Sequence, residues 1–365
     1  MSCADCIAHS GGLLRLYEKM QMGQETPLPL CGSFELTLRC NVRCKHCYIL
    51  YPGATDDEMS TEEAKAVLKK LADGGVIFLL MTGGEVLARP DFKELYLYAK
   101  RELGMILTIF TNATLVDEEM VDFWKKYPPR KVEVTIYGHT EATYEKVTGV
   151  KGSFKRFRRG CQLMLDAGLP LALKTIALKS NVHEFKDIRQ WVLEQGATFR
   201  YDIDVHPKID HNTDPLRERL SPQEYVEVEL IDLEANLGQY NTYVTNGHNH
   251  SSGESLFVCG SGVRTCHVDP QGRLHPCMIW RENPYDLRNQ VLDDDWRDHR
   301  TAIRSKKTAA VGCNTCSNRG VCGRCPAQSL LEMGDPTLPI PYHCETSQER
   351  RKLMGEPAAL SIEIV

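Results

Sequence analysis

The sequence predicts an α/β fold: a partial (β/α)6 TIM-like barrel with a C-terminal cysteine-rich domain. Three observations carry that expectation. Short apolar runs alternate with longer amphipathic ones from Phe34 to about Val205. A glycine follows almost every amphipathic run, where a left-handed residue ends a helix. Beyond Val205 the periodicity fades, and eight of the fifteen cysteines fall between Cys259 and Cys344.

The strands are expected at Phe34–Leu38, Val76–Met81, Met105–Phe110, Val132–Tyr137, Pro170–Ala177 and Thr198–Val205. The helices between them are expected at Thr61–Ala72, Asp91–Glu102, Asp117–Lys126, Ser153–Ala167 and His183–Glu194. Ser60 and Glu63 spell a capping box for the first helix, and Asp117 can cap the third. Gly74, Gly104, Gly168 and Gly196 sit at helix ends. Strand–helix alternation with right-handed crossovers gives a parallel sheet. Six units rather than eight imply an open barrel, with its ligand site at the carboxyl ends of the strands. Pro222–Leu237 can form one further amphipathic helix, and Asn241–Glu254 is polar and loop-like. The domain reading is an N-terminal extension (1–33), the barrel (34–240), a linker (241–258), the cysteine-rich domain (259–350) and a tail (351–365).

Length and composition bound the function. The chain has 365 residues, net charge −5 and an ordinary 42% hydrophobic share. That charge gives no general electrostatic reason to bind nucleic acid. No run approaches the roughly 18 apolar residues of a membrane span. Residues 1–30 lack the basic and apolar regions of a secretory signal. A cytoplasmic location follows, and there fifteen cysteines point to metal or catalytic thiols rather than disulfides.

Directly after the first strand stands C-N-V-R-C-K-H-C, with Cys40, Cys44 and Cys47. A cubane [4Fe–4S] cluster takes four thiolates. A tight loop with three leaves one iron open, and an open position on a metal is a reaction site. Zinc is the competing reading, with His46 as a fourth ligand, but His46 lies between two of the cysteines and cannot easily close a tetrahedron. The loop resembles the C-x3-C-x2-C signature of the radical S-adenosylmethionine (SAM) superfamily, with His46 in the slot before the third cysteine that usually holds an aromatic residue. The resemblance implies that SAM chelates the open iron and is cleaved to methionine and a 5′-deoxyadenosyl radical.

Further groups fit that chemistry. Met81-Thr-Gly-Gly-Glu85 ends the second strand; by itself it reads as a glycine turn with a solvated carboxylate. In context it resembles the superfamily's GGE motif, which implies that Gly83, Gly84 and Glu85 hold the amino group of SAM. Asn112, at the end of the third strand, is a candidate for the ribose, and Lys174, within the fifth, for the SAM carboxylate; a turn residue and a snorkelling lysine are the plain alternatives. Tyr137 and His139 are candidates for the substrate pocket or for packing. The basic stretch Lys151–Arg159 reads as a solvated helix face, or as a dock for an acidic peptide leader.

In the C-terminal region Cys259, Cys266 and Cys277 form one group; Cys313, Cys316, Cys322 and Cys325 form another; Cys344 stands alone. Eight thiols can fully ligate two cubanes, although C-x2-C pairs also suit zinc ribbons. The region resembles the SPASM domain of many radical SAM enzymes, through Cys259, Gly272, Cys277, Cys313, Cys316, Cys322 and Cys344. It departs in having only Gly323 and Arg324 between Cys322 and Cys325. The resemblance implies two auxiliary clusters: one on Cys259, Cys266, Cys277 and Cys325, the other on Cys313, Cys316, Cys322 and Cys344. With the first loop, that makes three [4Fe–4S] clusters. Cys3, Cys6, Cys31 and Cys161 are left without a role. Were Cys266 not a ligand, the first auxiliary cluster would keep an open iron.

Enzymes of this kind mostly modify ribosomally made peptides, and auxiliary clusters suit net oxidations. The expected reaction is therefore a thioether or carbon–carbon cross-link in a precursor peptide. Met278 follows Cys277 where sulfatase-maturing relatives carry an Asp, which turns the reading from that subfamily. About 35 residues precede the first strand, fewer than a small leader-binding domain needs. The precursor is expected to bind directly or through a separate leader-binding protein, with flavodoxin or ferredoxin as electron donor. The alternatives are a small molecule such as a haem precursor, peptide epimerisation, or, in another class, a non-catalytic iron–sulfur or zinc module.

Overall fold

A computed structural model describes residues 28–49, 57–231, 256–257, 259–292, 294–306, 313 and 316–353. Cys3, Cys6, the polar stretch 241–254, the helix expected beyond residue 231 and the tail from 354 lie outside the described residues.

Six parallel strands alternate with helices. They are β1 (Cys31–Glu35), β2 (Phe78–Thr82), β3 (Ile106–Thr111), β4 (Lys131–Thr135), β5 (Leu171–Ile176) and β6 (Thr198–Asp202). The helices are α1 (Thr61–Asp73), α2 (Phe92–Leu97), α3 (Glu118–Lys126), α4 (Glu141–Thr148), α5 (Ser153–Asp166), α6 (Phe185–Glu194) and α7 (Pro222–Ile231). The sheet does not stop at β1. β7 (Thr265–Val268) pairs parallel to β1, and β8 (Arg273–His275) and β9 (Tyr285–Asp286) follow antiparallel. The order is β6-β5-β4-β3-β2-β1-β7-β8-β9. Three more helices complete the described residues: α8 (Asp294–Arg304), α9 (Pro326–Met333) and α10 (Pro341–Leu353).

Local chemistry explains most boundaries. The Ser60–Glu63 capping box forms in both directions, and Asp117 accepts the Met120 N–H at 2.8 Å. α1 turns Ala64, Val67, Leu68 and Leu71 inward, each larger side chain stabilising by about 1.5–3 kcal/mol. β1 starts and ends three residues earlier than the apolar run suggests. Cys31–Phe34 have ladder partners on both sides and Glu35 on one, whereas Thr37 and Leu38 give their hydrogen bonds to the Glu58 side chain. Gly74 is not left-handed; its neighbour Gly75 is, at φ 115°. Gly74 is small for another reason: a Cβ there would lie 2.4 Å from Leu292 Cδ2 and 2.8 Å from Leu28 Cδ1. α4 was not foreseen. It is only eight residues long, capped by Thr140 and ended by the left-handed Gly149.

One apolar core runs from Leu28 to Trp296 and includes Val268, Leu274 and Tyr285 of the added strands. A second group gathers Phe185, Ile203, Leu220, Tyr225 and Val226. A third gathers Leu256, Phe257, Trp280, Ile303, Ala327 and Leu331. No described helix is long and apolar enough to cross a membrane.

Candidate functional site

The site is built on the segment that leaves β1. Four neighbours fix its root. Gly84 N–H donates to the Thr37 carbonyl and Glu85 N–H to the Arg39 carbonyl, both at 2.8 Å. The buried Arg89 guanidinium donates to the Leu36 carbonyl at 2.7 Å, and the Leu38 N–H donates to Glu58 at 2.7 Å. The two glycines are required by this closeness. A Cβ on Gly83 would sit 2.4 Å from the Thr37 oxygen, and one on Gly84 would sit 2.2 Å from the Arg39 oxygen. Their small size brings one backbone against another. On the far side of the loop, Arg43 N–H and Lys45 N–H donate to the Thr148 and Val147 carbonyls at the end of α4.

Glu85 ties the motif to β3. It is fully buried, and its carboxylate accepts hydrogen bonds from Thr111 Oγ1 (2.7 Å), Asn112 N–H (2.7 Å) and Leu87 N–H (3.1 Å). Burial raises its pKa and these donors oppose the rise. Asn112 passes the link on: its amide lies 3.9 Å from Cys40 Sγ and donates to Asn41 at 2.9 Å, while its oxygen accepts from Thr114. Glu85 and Asn112 therefore reach the cysteine loop through protein hydrogen bonds.

Cys40, Cys44 and Cys47 lie close enough that Cys47 disfavours ionisation of the other two and Cys40 that of Cys44. Burial pushes Cys40 up to about 11 and Cys44 well above the ordinary thiol value. Such thiols stay protonated unless a metal ion takes the place of the proton. His46 is buried beside them, its ring 4.8 Å from that of Tyr137, with Nδ1 lacking a hydrogen-bond partner. Burial holds its pKa at about 4, so it is neutral. The Tyr137 hydroxyl is within hydrogen-bonding reach of Cys44. His139 is exposed, and its backbone N–H donates to Glu184.

Lys174 lies deeper on β5, with Nζ 3.3 Å from the centre of the Phe110 ring. Burial lowers its pKa to about 8; Glu133 acts the other way. Glu133 is itself paired with Arg200 at 2.7 Å. Lysines 151 and 155 and arginines 156 and 159 face solvent from or beside α5, while Arg158 stacks 4.0 Å over Trp191.

The C-terminal thiols fall into two places. Cys313, Cys316, Cys322 and Cys344 line a single cavity of about 140 Å³, together with Leu256 and His343. Cys325 caps α9 and lies within electrostatic range of Cys277 and Cys259; burial raises it to about 12. Cys266 is placed elsewhere, in β7, with Cys31 as its thiol neighbour. Cys161 is buried in the barrel core. Among the described residues no three His, Cys, Asp or Glu side chains meet in the geometry of a single bound ion. The donor sets are thiol-only and soft, which suits iron–sulfur clusters.

One constellation escaped sequence reasoning. Glu35, fully buried, accepts two hydrogen bonds from Arg281 (2.9 and 3.0 Å) and one from the Tyr48 hydroxyl (3.3 Å), with His267 Nε2 3.5 Å away. Burial would raise Glu35, yet Arg281 and His267 hold it at about 2. The available signal was an acidic residue inside the apolar run F-E-L.

Open parallel strands, a thiol trio just beyond the carboxyl end of β1 and a thiol-lined C-terminal cavity define the class: a partial-barrel α/β protein with clustered cysteines. Residues 34–192 match the model of the radical SAM superfamily. An AdoMet-dependent heme synthase of Nitratidesulfovibrio vulgaris is 26% identical, over 84% of this chain and 90% of that protein. The antilisterial bacteriocin subtilosin biosynthesis protein AlbA of Bacillus subtilis is 27% identical, over 84% and 69%. Among solved structures, Streptococcus suis SuiB bound to its precursor peptide SuiA superposes with a TM-score of 0.66 at 16% identity, covering 88% of this chain and 77% of that one.

Proposed function

We propose that this radical SAM enzyme oxidatively cross-links side chains of a ribosomally made peptide, forming a thioether or carbon–carbon bond. The observation that carries the reading is the thiol trio Cys40, Cys44 and Cys47, held at the strand ends by the Gly83–Glu85 backbone and by Asn112. Cys40, Cys44 and Cys47 would hold a [4Fe–4S] cluster, which would supply the electron for the reductive cleavage of SAM. His46 lies against this loop as a neutral ring. Gly83, Gly84 and Glu85 would receive the amino group of SAM, Asn112 would meet the ribose, and Lys174 would offer a cation to the carboxylate. Cys313, Cys316, Cys322 and Cys344 hold one auxiliary cluster; Cys259, Cys277 and Cys325 hold another, with Cys266 as the fourth ligand expected from the sequence. The domain reading given above, a cytoplasmic setting and a flavodoxin or ferredoxin donor accompany this function. The relatives AlbA and SuiB support the peptide substrate by their names.

The heme-synthase relatives, aligned over most of their length, favour a second reading, in which the substrate is a haem precursor. The test is anaerobic reconstitution with reductant and SAM, then mass spectrometry of short peptides encoded beside the gene after co-expression. 5′-Deoxyadenosine above a Cys40→Ala control, with a peptide two hydrogens lighter, is the expected result. An unchanged peptide with a modified iron porphyrin would replace the first reading by the second. A peptide that keeps its mass but takes up deuterium would indicate epimerisation.

A further inference from the structure

We propose that Glu35 is a positioning residue: through Tyr48 and Arg281 it fastens the loop of Cys40, Cys44 and Cys47 and the segment of Cys277 to one point of β1, and so sets the gap between the two thiol sites. The proposal rests on the reading of these thiols as ligands of two clusters given above.

Three chain segments converge on this carboxylate. Its Oε1 accepts from the Tyr48 hydroxyl at 3.3 Å and from Arg281 Nη2 at 3.0 Å. Its Oε2 accepts from the same nitrogen at 2.9 Å and lies 3.5 Å from His267 Nε2. His267 is placed in turn by Ser33, whose hydroxyl lies 2.7 Å from Nδ1. Tyr48 follows Cys47 directly, and Arg281 comes shortly after Cys277. The two thiol-bearing segments are therefore joined through a residue that belongs to neither.

The far end of the first loop uses this tie. From Thr37 to Lys45 the loop leans on backbone groups at the ends of β2 and α4. Past His46 it is held by the Ile209 N–H, which donates to the Tyr48 carbonyl at 3.0 Å, and by the Tyr48 side chain. That side chain also meets the other site. Its hydroxyl lies 3.8 Å from Met278 Sδ, and Tyr48, Cys277 and Cys325 pack against one apolar group that includes Phe257 and Trp280. Charge makes the joint directional. An apolar contact could slide, whereas a buried carboxylate must keep its charged and hydroxyl donors in place or be stranded without them. Tyr48 therefore stands where the two sites meet, and a substrate that reaches both must bridge the gap it sets.

The test uses the full chain, reconstituted anaerobically, with two readouts. One is amide hydrogen exchange; the other is electron–nuclear double resonance with SAM carrying 15N in its amino group. Arg281→Met should speed exchange by about tenfold or more in residues 277–281 and also in residues 44–49. It should alter the 15N coupling as well, although Arg281 belongs to the other segment. Adding Glu35→Gln removes the stranded charge and leaves an amide oxygen for the Tyr48 hydroxyl. Residues 44–49 and the 15N coupling should then recover while residues 277–281 stay fast, a split that general destabilisation does not produce. Arg273→Met, which breaks the neighbouring ion pair with Asp269, should leave both segments at the parental rate. Faster exchange confined to residues 277–281, with residues 44–49 and the 15N coupling parental, would overturn the proposal. So would equal effects from Arg273→Met. A parental protein without any 15N coupling would sink the underlying reading of the first thiol trio, and the exchange rates would still decide whether Glu35 joins the two segments.

Discussion

Gly84→Ala is the most informative single methyl group in the barrel. The added carbon would lie 2.2 Å from the Arg39 oxygen and 2.7 Å from the Arg39 carbonyl carbon. Both belong to backbone, so no side chain can rotate away. The Leu38–Arg39 segment must withdraw by roughly 1 Å to restore an ordinary van der Waals contact. That movement strains two hydrogen bonds, Gly84 N–H to Thr37 and Glu85 N–H to Arg39. Two such bonds are together worth about 2 kcal/mol net, and overpacking typically adds about 1–3 kcal/mol. The expected loss is about 3–5 kcal/mol, concentrated at the root of Cys40. Urea unfolding of the metal-free protein measures the stability change; iron content and the signal of the first cluster measure the displacement. Gly168→Ala is the control, because nothing lies within 4 Å of its missing methyl, although its φ of +63° still carries a backbone penalty of about 1 kcal/mol. A Gly84→Ala protein with parental stability and a parental first-cluster signal would refute the argument that these glycines serve the loop.

Lys174 gives a pH dependence. Burial brings its pKa to about 8, so above that pH the ligand-free barrel loses this cation. SAM affinity, followed by anaerobic calorimetry, should be flat below about pH 8 and weaken by up to about tenfold per unit above it; Lys174→Met should remove the slope. The same depressed pKa means that this group opposes folding at lower pH, and that its penalty fades as pH rises from about 8 toward about 10.4. Arg281→Met strands the buried Glu35 and should cost about 3–5 kcal/mol in denaturant titrations; the double variant with Glu35→Gln should recover much of that loss. Glu85→Gln turns an amide N–H₂ toward donors that now bind a carboxylate. It should cost about 1–3 kcal/mol and alter the first-cluster spectrum through Asn112, whereas Glu94→Gln on the exposed face of α2 should do neither.

Much of the barrel was legible because each unit repeats a local rule. An apolar run, a capped amphipathic helix and a glycine stop recur, and Ser60, Asp117, Gly104, Gly168 and Gly196 act as their residue types predict. What escaped depended on contacts distant in sequence. Residues 265–268 read as part of a turn-rich domain, yet they extend the barrel sheet because β1 has a free edge for them. α4 was too short for its periodicity to stand out, although it buttresses the cysteine loop. At the site, the residue types were legible and their partners were not. Glu85 and the two glycines stood out as a motif, but only packing shows that one holds β3 and the others touch Thr37 and Arg39. The resemblance implied Cys266 as a cluster ligand; that it lies in β7, with Cys31 as its thiol neighbour, was not legible in the sequence.

The account depends most on an iron left open by Cys40, Cys44 and Cys47. Electron–nuclear double resonance on the reduced protein, with SAM carrying 15N in its amino group, tests this directly. The account predicts a 15N coupling to a cluster that disappears in Cys44→Ala. A reconstituted, fully iron-loaded protein that shows no 15N coupling at saturating SAM would contradict it.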